Sequence, residues 1–141
     1  LMSLEVQVVS PERILYTGTA TMVVARTIGG GDIAFLTGHA PFIGDLAIWP
    51  VEVVPVEGAR VRVAVHGGFV EVSNDRVTVL SDVAELADQI DVPRAQRAKE
   101  KAESALRSDP DDEEAKAALA RAEVRIQVAT GTPAQVTAPA H

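Results

Sequence analysis

The 141-residue chain contains no cysteine, which excludes disulfides, thiolate nucleophiles and cysteine-ligated metal sites. Aromatic residues make up only 4%, so a core has to be built from Val, Ile, Leu and Ala. No apolar run approaches the roughly 20 residues of a membrane-spanning helix. The N-terminus lacks a basic segment followed by an apolar one, so no secretory signal is expected. Positive charge is also short: 13 basic side chains face 20 acidic ones, for a net charge of −7. Such a chain is a poor general binder of nucleic acid, whose phosphates need a positive surface. What is present is 47% hydrophobic and 23% charged, the balance of a folded, soluble, cytoplasmic-side protein.

Residues 1–90 are rich in Val, Gly and Thr and follow period two. Leu4, Val6 and Val8 alternate with Glu5 and Gln7; Val61, Val63 and Val65 alternate with Arg60, Arg62 and Ala64; Val70 and Val72 alternate with Glu71 and Ser73. Side chains of a strand point to opposite faces in turn, so each run predicts a half-buried strand. Turn signals separate the runs at Ser10-Pro11-Glu12, Gly29-Gly30-Gly31-Asp32, Glu57-Gly58 and Asn74-Asp75. Asn and Asp tolerate positive φ, so Asn74-Asp75 predicts a tight hairpin. Short strands without intervening helices suggest a β-sandwich or a flattened barrel.

Residues 91–129 follow a helical period. Asp91 is an N-cap residue and Pro93 is tolerated in the first turn. The first apolar stripe is Ala95, Ala98, Ala102 and Ala105, with Leu106 beside it. Ser108-Asp109-Pro110 breaks the pattern, and either Ser108 or Asp109 can cap a second helix. Asp111, Asp112, Glu113 and Glu114 then sit where the helix dipole favours negative charge. The second stripe is Ala115, Ala118, Leu119, Ala122, Ile126 and Ala129, and Gly131 is a stop signal. The short connection predicts an antiparallel two-helix hairpin. Residues 130–141 read as a disordered tail. The 90 sandwich residues carry 5 basic and 11 acidic groups, and the remainder 8 and 9, so the negative field belongs to the sandwich.

The facing stripes are mostly alanine. A buried methyl contributes about 0.8 kcal/mol, against about 1.5–3 for a whole Leu or Ile side chain, while alanine has the highest helix propensity. Each helix should form readily and hold its partner weakly, which favours a hairpin that opens or undocks at low cost. The plainer alternative is a stable hairpin that decorates the sandwich.

Catalytic chemistry finds little support. Gly29-Gly30-Gly31 precedes a strand-like run, Asp32-Ile33-Ala34-Phe35, rather than the helix N-terminus that a phosphate loop needs. The three histidines are scattered: His39 lies in a Gly-Pro-flanked turn, His66 at a strand end, and His141 at the last position. No pair has metal-ligand spacing. No Ser or Thr sits in a nucleophile elbow. In the hairpin, antiparallel pairing brings Asp91 and Arg94, at the start of the first helix, close to Arg121 and Arg125, near the end of the second. Converging guanidiniums suit phosphate oxygens. The alternative is ordinary solvated arginines paired with Glu123 or Asp91.

Four stretches carry a family likeness: Ser10-Pro11-Glu12-Arg13 with Leu15-Tyr16-Thr17-Gly18; Gly31-Asp32-Ile33-Ala34-Phe35-Leu36-Thr37-Gly38-His39-Ala40-Pro41-Phe42; Gly67-Gly68-Phe69-Val70-Glu71-Val72 with Val77-Thr78-Val79-Leu80; and Ile90-Asp91-Val92-Pro93-Arg94-Ala95. In that order they resemble the epsilon subunits of bacterial F-type ATP synthases. The resemblance implies a ten-stranded β-sandwich over residues 1–90 followed by a two-helix hairpin over 91–129. It implies a non-catalytic central-stalk subunit that couples rotation driven by proton flow to ATP synthesis. Its implied partners are the gamma subunit and the c-subunit ring, and the alpha and beta subunits when the hairpin extends and inhibits ATP hydrolysis. Contact with the membrane would be indirect, on the cytoplasmic side of the bacterial plasma membrane. No cofactor is required. By position, Asp32, His39 and Pro41 match the family's c-ring-facing turns. Ile90, Asp91, Arg94 and Ala95, with Arg121, Arg125 and Glu85, match the residues by which some members bind ATP as a regulatory ligand. Thr37, Ala34 and Trp49-Pro50 depart from the family pattern, as does Lys101, where some ATP-binding members have arginine. A competing reading is a free-standing nucleotide sensor with no stalk role.

Overall fold

The computed structural model describes residues 2–131. The expected tail therefore lies almost wholly outside the described residues. Seven strands come first: β1 (Leu4–Val9), β2 (Ile14–Thr27), β3 (Gly31–Phe35), β4 (Phe42–Pro55), β5 (Val61–Ser73), β6 (Arg76–Leu80) and β7 (Ala84–Leu86). A single 3₁₀ turn, Ala87–Gln89, leads to α1 (Val92–Ser108) and α2 (Glu113–Thr130).

The strands run in the order β1-β6-β5-β4-β2-β3, with β7 added to β5, and β1 also pairs β2. That last pairing closes five strands into a flattened barrel. β1 is parallel to β6 and antiparallel to β2. Strands β2, β4 and β5 hold 14, 14 and 13 residues. They bend and change partners along their length, which corrects the expected ten strands to seven. β5 pairs β7 with its first half and β6 with its second. Between those halves lie Gly67 (φ +85°) and Gly68 (φ +117°). In β2, register shifts between Ala20 and Met22 and between Val24 and Thr27 mark the bend. Where ten short strands would need extra turns, three long ones bend instead.

The period-two positions form the core: Leu4, Val6, Val8, Val63, Val65, Val70 and Val72 are all buried. Phe35 is the largest side chain that is fully enclosed, and valine fills most of the remainder. Asn74 and Asp75 both have positive φ and connect β5 to β6 by a two-residue turn, as their chemistry predicts. Ser81, a buried polar residue, places its hydroxyl between the carbonyls of Gly67 (2.7 Å) and Val83 (2.8 Å). It pins the bend of β5 to the connection before β7.

Asp91 caps α1, its carboxylate accepting from the Arg94 N–H at 3.1 Å. The second cap differs from expectation: it is Asp112, whose Oδ1 accepts from Ala115 N–H. The Asp109 N–H still donates to the Ala105 carbonyl, so α1 runs through Ser108 and the turn moves three residues on. Gly131 ends α2 in the left-handed conformation, φ +68°.

Ala95 and Ala102 of α1 face Ala115 and Ala122 of α2 in the hairpin seam, all four buried. The stripe reading missed a second buried face of α2. Val124 and Val128 pack on Ala64 of β5, with Ile48 and Ile90 alongside. They dock the hairpin on the barrel. Ala64 is the residue that alternation assigns to the outer face of β5; α2 covers it there.

Candidate functional site

A cavity of about 320 Å³ lies where the barrel, the 3₁₀ turn and the two helices meet. That volume falls at the lower end of the roughly 300–1,000 Å³ typical of small-ligand sites. Glu85 of β7, Asp91, Arg94 and Ala95 at the start of α1, and Arg121 and Arg125 near the end of α2 line it, together with Gln89, Ala98 and Ala118. Antiparallel packing of the hairpin brings these side chains together from positions up to 40 residues apart. Ile90 does not line the cavity; it packs against the docking cluster of Ala64, Val124 and Val128.

The charges inside are partly spent. Arg125 Nε donates to Glu85 Oε1 at 2.7 Å, and Arg121 donates to Glu114 at 3.0 Å. The pairs anticipated with Glu123 or Asp91 are not the ones formed. Asp91 is occupied as the cap of α1. Arg94 forms no ion pair among the described residues. The site therefore offers one uncommitted guanidinium and two that an anion could draw from their carboxylates. No group of three or more His, Asp or Glu side chains is arranged to hold a metal ion among the described residues.

Sequence reasoning missed His66. It lies within β5 rather than at its end, with a side chain only 3% exposed. Its Nε2 lies 2.9 Å from the same Glu85 oxygen that accepts from Arg125. Burial is the main cause that pushes its imidazole pKa down from 6.5; the Glu85 hydrogen bond opposes that, and the Arg125 and Arg121 charges add to it. Gln89 was missed too; it lines the cavity, and its side-chain oxygen accepts from the Leu86 N–H at 2.9 Å. The β5–β7 register, which sets Ala64 opposite Glu85, makes His66 the diagonal neighbour of Glu85 on the same face. No local pattern announces that pairing.

Asp32, His39 and Pro41 lie elsewhere on the barrel. Asp32 on β3 forms a two-pronged pair with Arg26 on β2, at 2.9 and 3.2 Å. The Arg26 guanidinium stacks 3.5 Å from the Trp49 ring centroid. The His39 and Phe35 rings form a T-shaped pair with centroids 5.0 Å apart, and His39 Nδ1 lies 2.7 Å from the Ala40 carbonyl oxygen. Pro41 is exposed just before β4. Ile28, Leu36 and Ile43, in or beside the same connections, are each more than half exposed. Larger, shallower grooves exist on the barrel, but the one across β1 and β2 contains a single exposed ion pair, Glu5–Arg76.

Two family profiles match the chain: "ATP synthase, Delta/Epsilon chain, beta-sandwich domain" over residues 3–87, and "ATP synthase, Delta/Epsilon chain, long alpha-helix domain" over residues 88–130. The ATP synthase epsilon chain of Streptomyces griseus is 45% identical over 124 residues, covering 88% of this chain and 93% of its own. That of Thermobifida fusca is 46% identical over 129 residues, covering 88% and 90%. Among solved structures, a chain in the Euglena gracilis mitochondrial ATP synthase (OSCP/F1/c-ring) superposes with a TM-score of 0.68 at 20% identity, over 92% of this chain and 79% of that one. At that identity the superposition speaks for the fold.

Proposed function

The chain belongs to the ATP synthase delta/epsilon chain family, and from that premise we propose that it is the epsilon subunit of a bacterial rotary ATP synthase. It couples rotation of the central stalk to the catalytic head and is not itself a catalyst. The observation that carries this is the agreement of barrel and hairpin, in order, with a single family. In this reading the barrel binds the gamma subunit and rests on the c-subunit ring. Its loops around Asp32, His39 and Pro41, with Ile28, Leu36 and Ile43 exposed beside them, supply the ring-facing surface. The hairpin reaches the alpha and beta subunits when it extends, and it slows ATP hydrolysis. No described helix is long and apolar enough to cross a membrane. In this reading attachment to the cytoplasmic face comes through the complex.

Co-expression with the cognate gamma subunit tests the core of the proposal. A one-to-one complex that survives gel filtration is expected, along with slower ATP hydrolysis when the chain is added to an epsilon-free head. A chain that elutes alone and leaves hydrolysis unchanged would remove the stalk role.

The arginine cavity supports ATP as a regulatory ligand. Arg94, Arg121 and Arg125 would hold phosphate oxygens, and alanines 95, 98 and 118 leave space between the helices. Saturable amide NMR shifts at Arg94 and Arg125 on ATP addition, lost in Arg94→Ala, are expected. No shift at millimolar ATP would leave a hairpin governed by protein partners alone.

A further inference from the structure

His66 is built into the joint between barrel and hairpin, although nothing in its local sequence marks it. Its side chain is closed off from solvent, and one ring nitrogen points at a carboxylate. Facing a carboxylate, Nε2 carries the proton and donates it. Nδ1 is then a bare lone pair, buried and without a partner among the described residues. The charged groups around the ring are Glu85 from β7, Arg125 and Arg121 from α2, and Asp82, which shares a groove with His66 on the connection before β7. From β4 the residue opposite is uncharged Ile48. Asp91 and Arg94 of the α1 start share the cavity with Glu85.

Glu85 thus serves two donors through one oxygen, His66 and Arg125. We propose that His66 is a proton-linked positioning residue for the arginine cavity, so that seating a polyphosphate anion there and protonating His66 are cooperative events coupled through Glu85. The inference rests on the reading of the cavity as a nucleotide site. An anion that draws Arg125 away leaves Glu85 to be neutralised by His66 alone. It also cancels the guanidinium charges that oppose a second positive group beside them. Both changes favour the imidazolium, with a proton from solvent added at Nδ1 while Nε2–H stays on Glu85. By reciprocity, protonation frees Arg125 for phosphate and strengthens anion binding as pH falls.

The test is NMR titration of the His66 imidazole in the full chain, labelled at histidine, with and without saturating ATP. We expect ATP to raise the His66 midpoint by about 0.7 pH unit. That corresponds to about fivefold tighter ATP binding with His66 protonated. In His66→Asn, the pH dependence of ATP affinity should shrink to what the ATP phosphates contribute by their own titration. A His66 midpoint unmoved by ATP, while Arg94 and Arg125 amides do shift, would overturn the proposal and leave the nucleotide site standing. Absence of any ATP-induced shift at pH 6 would overturn both. If His66→Asn fails to fold, the wild-type midpoint decides alone.

Discussion

Individual residues at the joint carry opposing demands. The buried imidazole of His66 is held below its ordinary pKa of 6.5, so below that pH the unfolded chain binds more protons than the folded one. This residue's contribution to stability is therefore full above pH 6.5 and is lost as pH falls below it, towards the folded value. Urea midpoints at pH 7.5 and 5.5 should show a larger drop in the wild type than in His66→Asn. Gly68 is constrained differently. Its φ of +117° suits glycine, and an added Cβ would lie 2.1 Å from the Leu80 carbonyl oxygen. Gly68→Ala should destabilise by about 3 kcal/mol or more, readable in equilibrium urea denaturation. Asp91 lines the arginine cavity, yet its visible work is to cap α1. Asp91→Ala should cost about 1 kcal/mol of helix stability even without nucleotide.

At the scale of elements, the hairpin is tied to the barrel by little. Two valines, Val124 and Val128, and one shared carboxylate, Glu85, carry the docking. Each Val→Ala change removes two methyl groups, about 1.6 kcal/mol of burial. The double variant Val124→Ala/Val128→Ala should release α2 from β5 without melting the barrel. Faster amide exchange in α1 and α2, with strand protection retained, is the expected reading. The alanine seam has the same consequence within the hairpin: four buried alanines hold α1 to α2, and their good helix propensity lets each helix persist when the pair separates. Under the proposed stalk role, a hairpin that folds down and extends needs this combination.

For the whole molecule, the core splits into two parts. One cluster fills the barrel, and a second, small cluster joins it to the hairpin. Opening should therefore be sub-global: the helices exchange amide hydrogens before the strands do, and ligand in the arginine cavity should narrow the gap. Hydrogen-exchange mass spectrometry with and without ATP checks this. Equal exchange of helices and strands would show that the hairpin unfolds only with the barrel. The barrel's excess of acidic groups sets it apart from the hairpin, whose charges nearly balance. Among the described residues, docking of the hairpin uses one local ion pair, Arg125–Glu85, and owes little to a long-range field.

Local chemistry alone was enough for much of this architecture. Alternating valines marked the strand faces, Asn74-Asp75 marked a hairpin, and Asp91 and Gly131 marked helix ends, because each acts through its own backbone or nearest neighbours. The convergence of Arg94, Arg121 and Arg125 was also legible, since antiparallel helices of known length fix which ends meet. Three things were not. Long strands bending at Gly67-Gly68 replaced pairs of short ones, since a bend leaves the alternation almost unbroken. The docking face of Val124 and Val128 hid behind a more regular alanine stripe, and only the barrel surface at Ala64 selects it. The His66–Glu85–Arg125 cluster depends on the β5–β7 register and on where α2 lands. Such contacts between distant segments exist only once the chain has closed, so tertiary structure alone decided them.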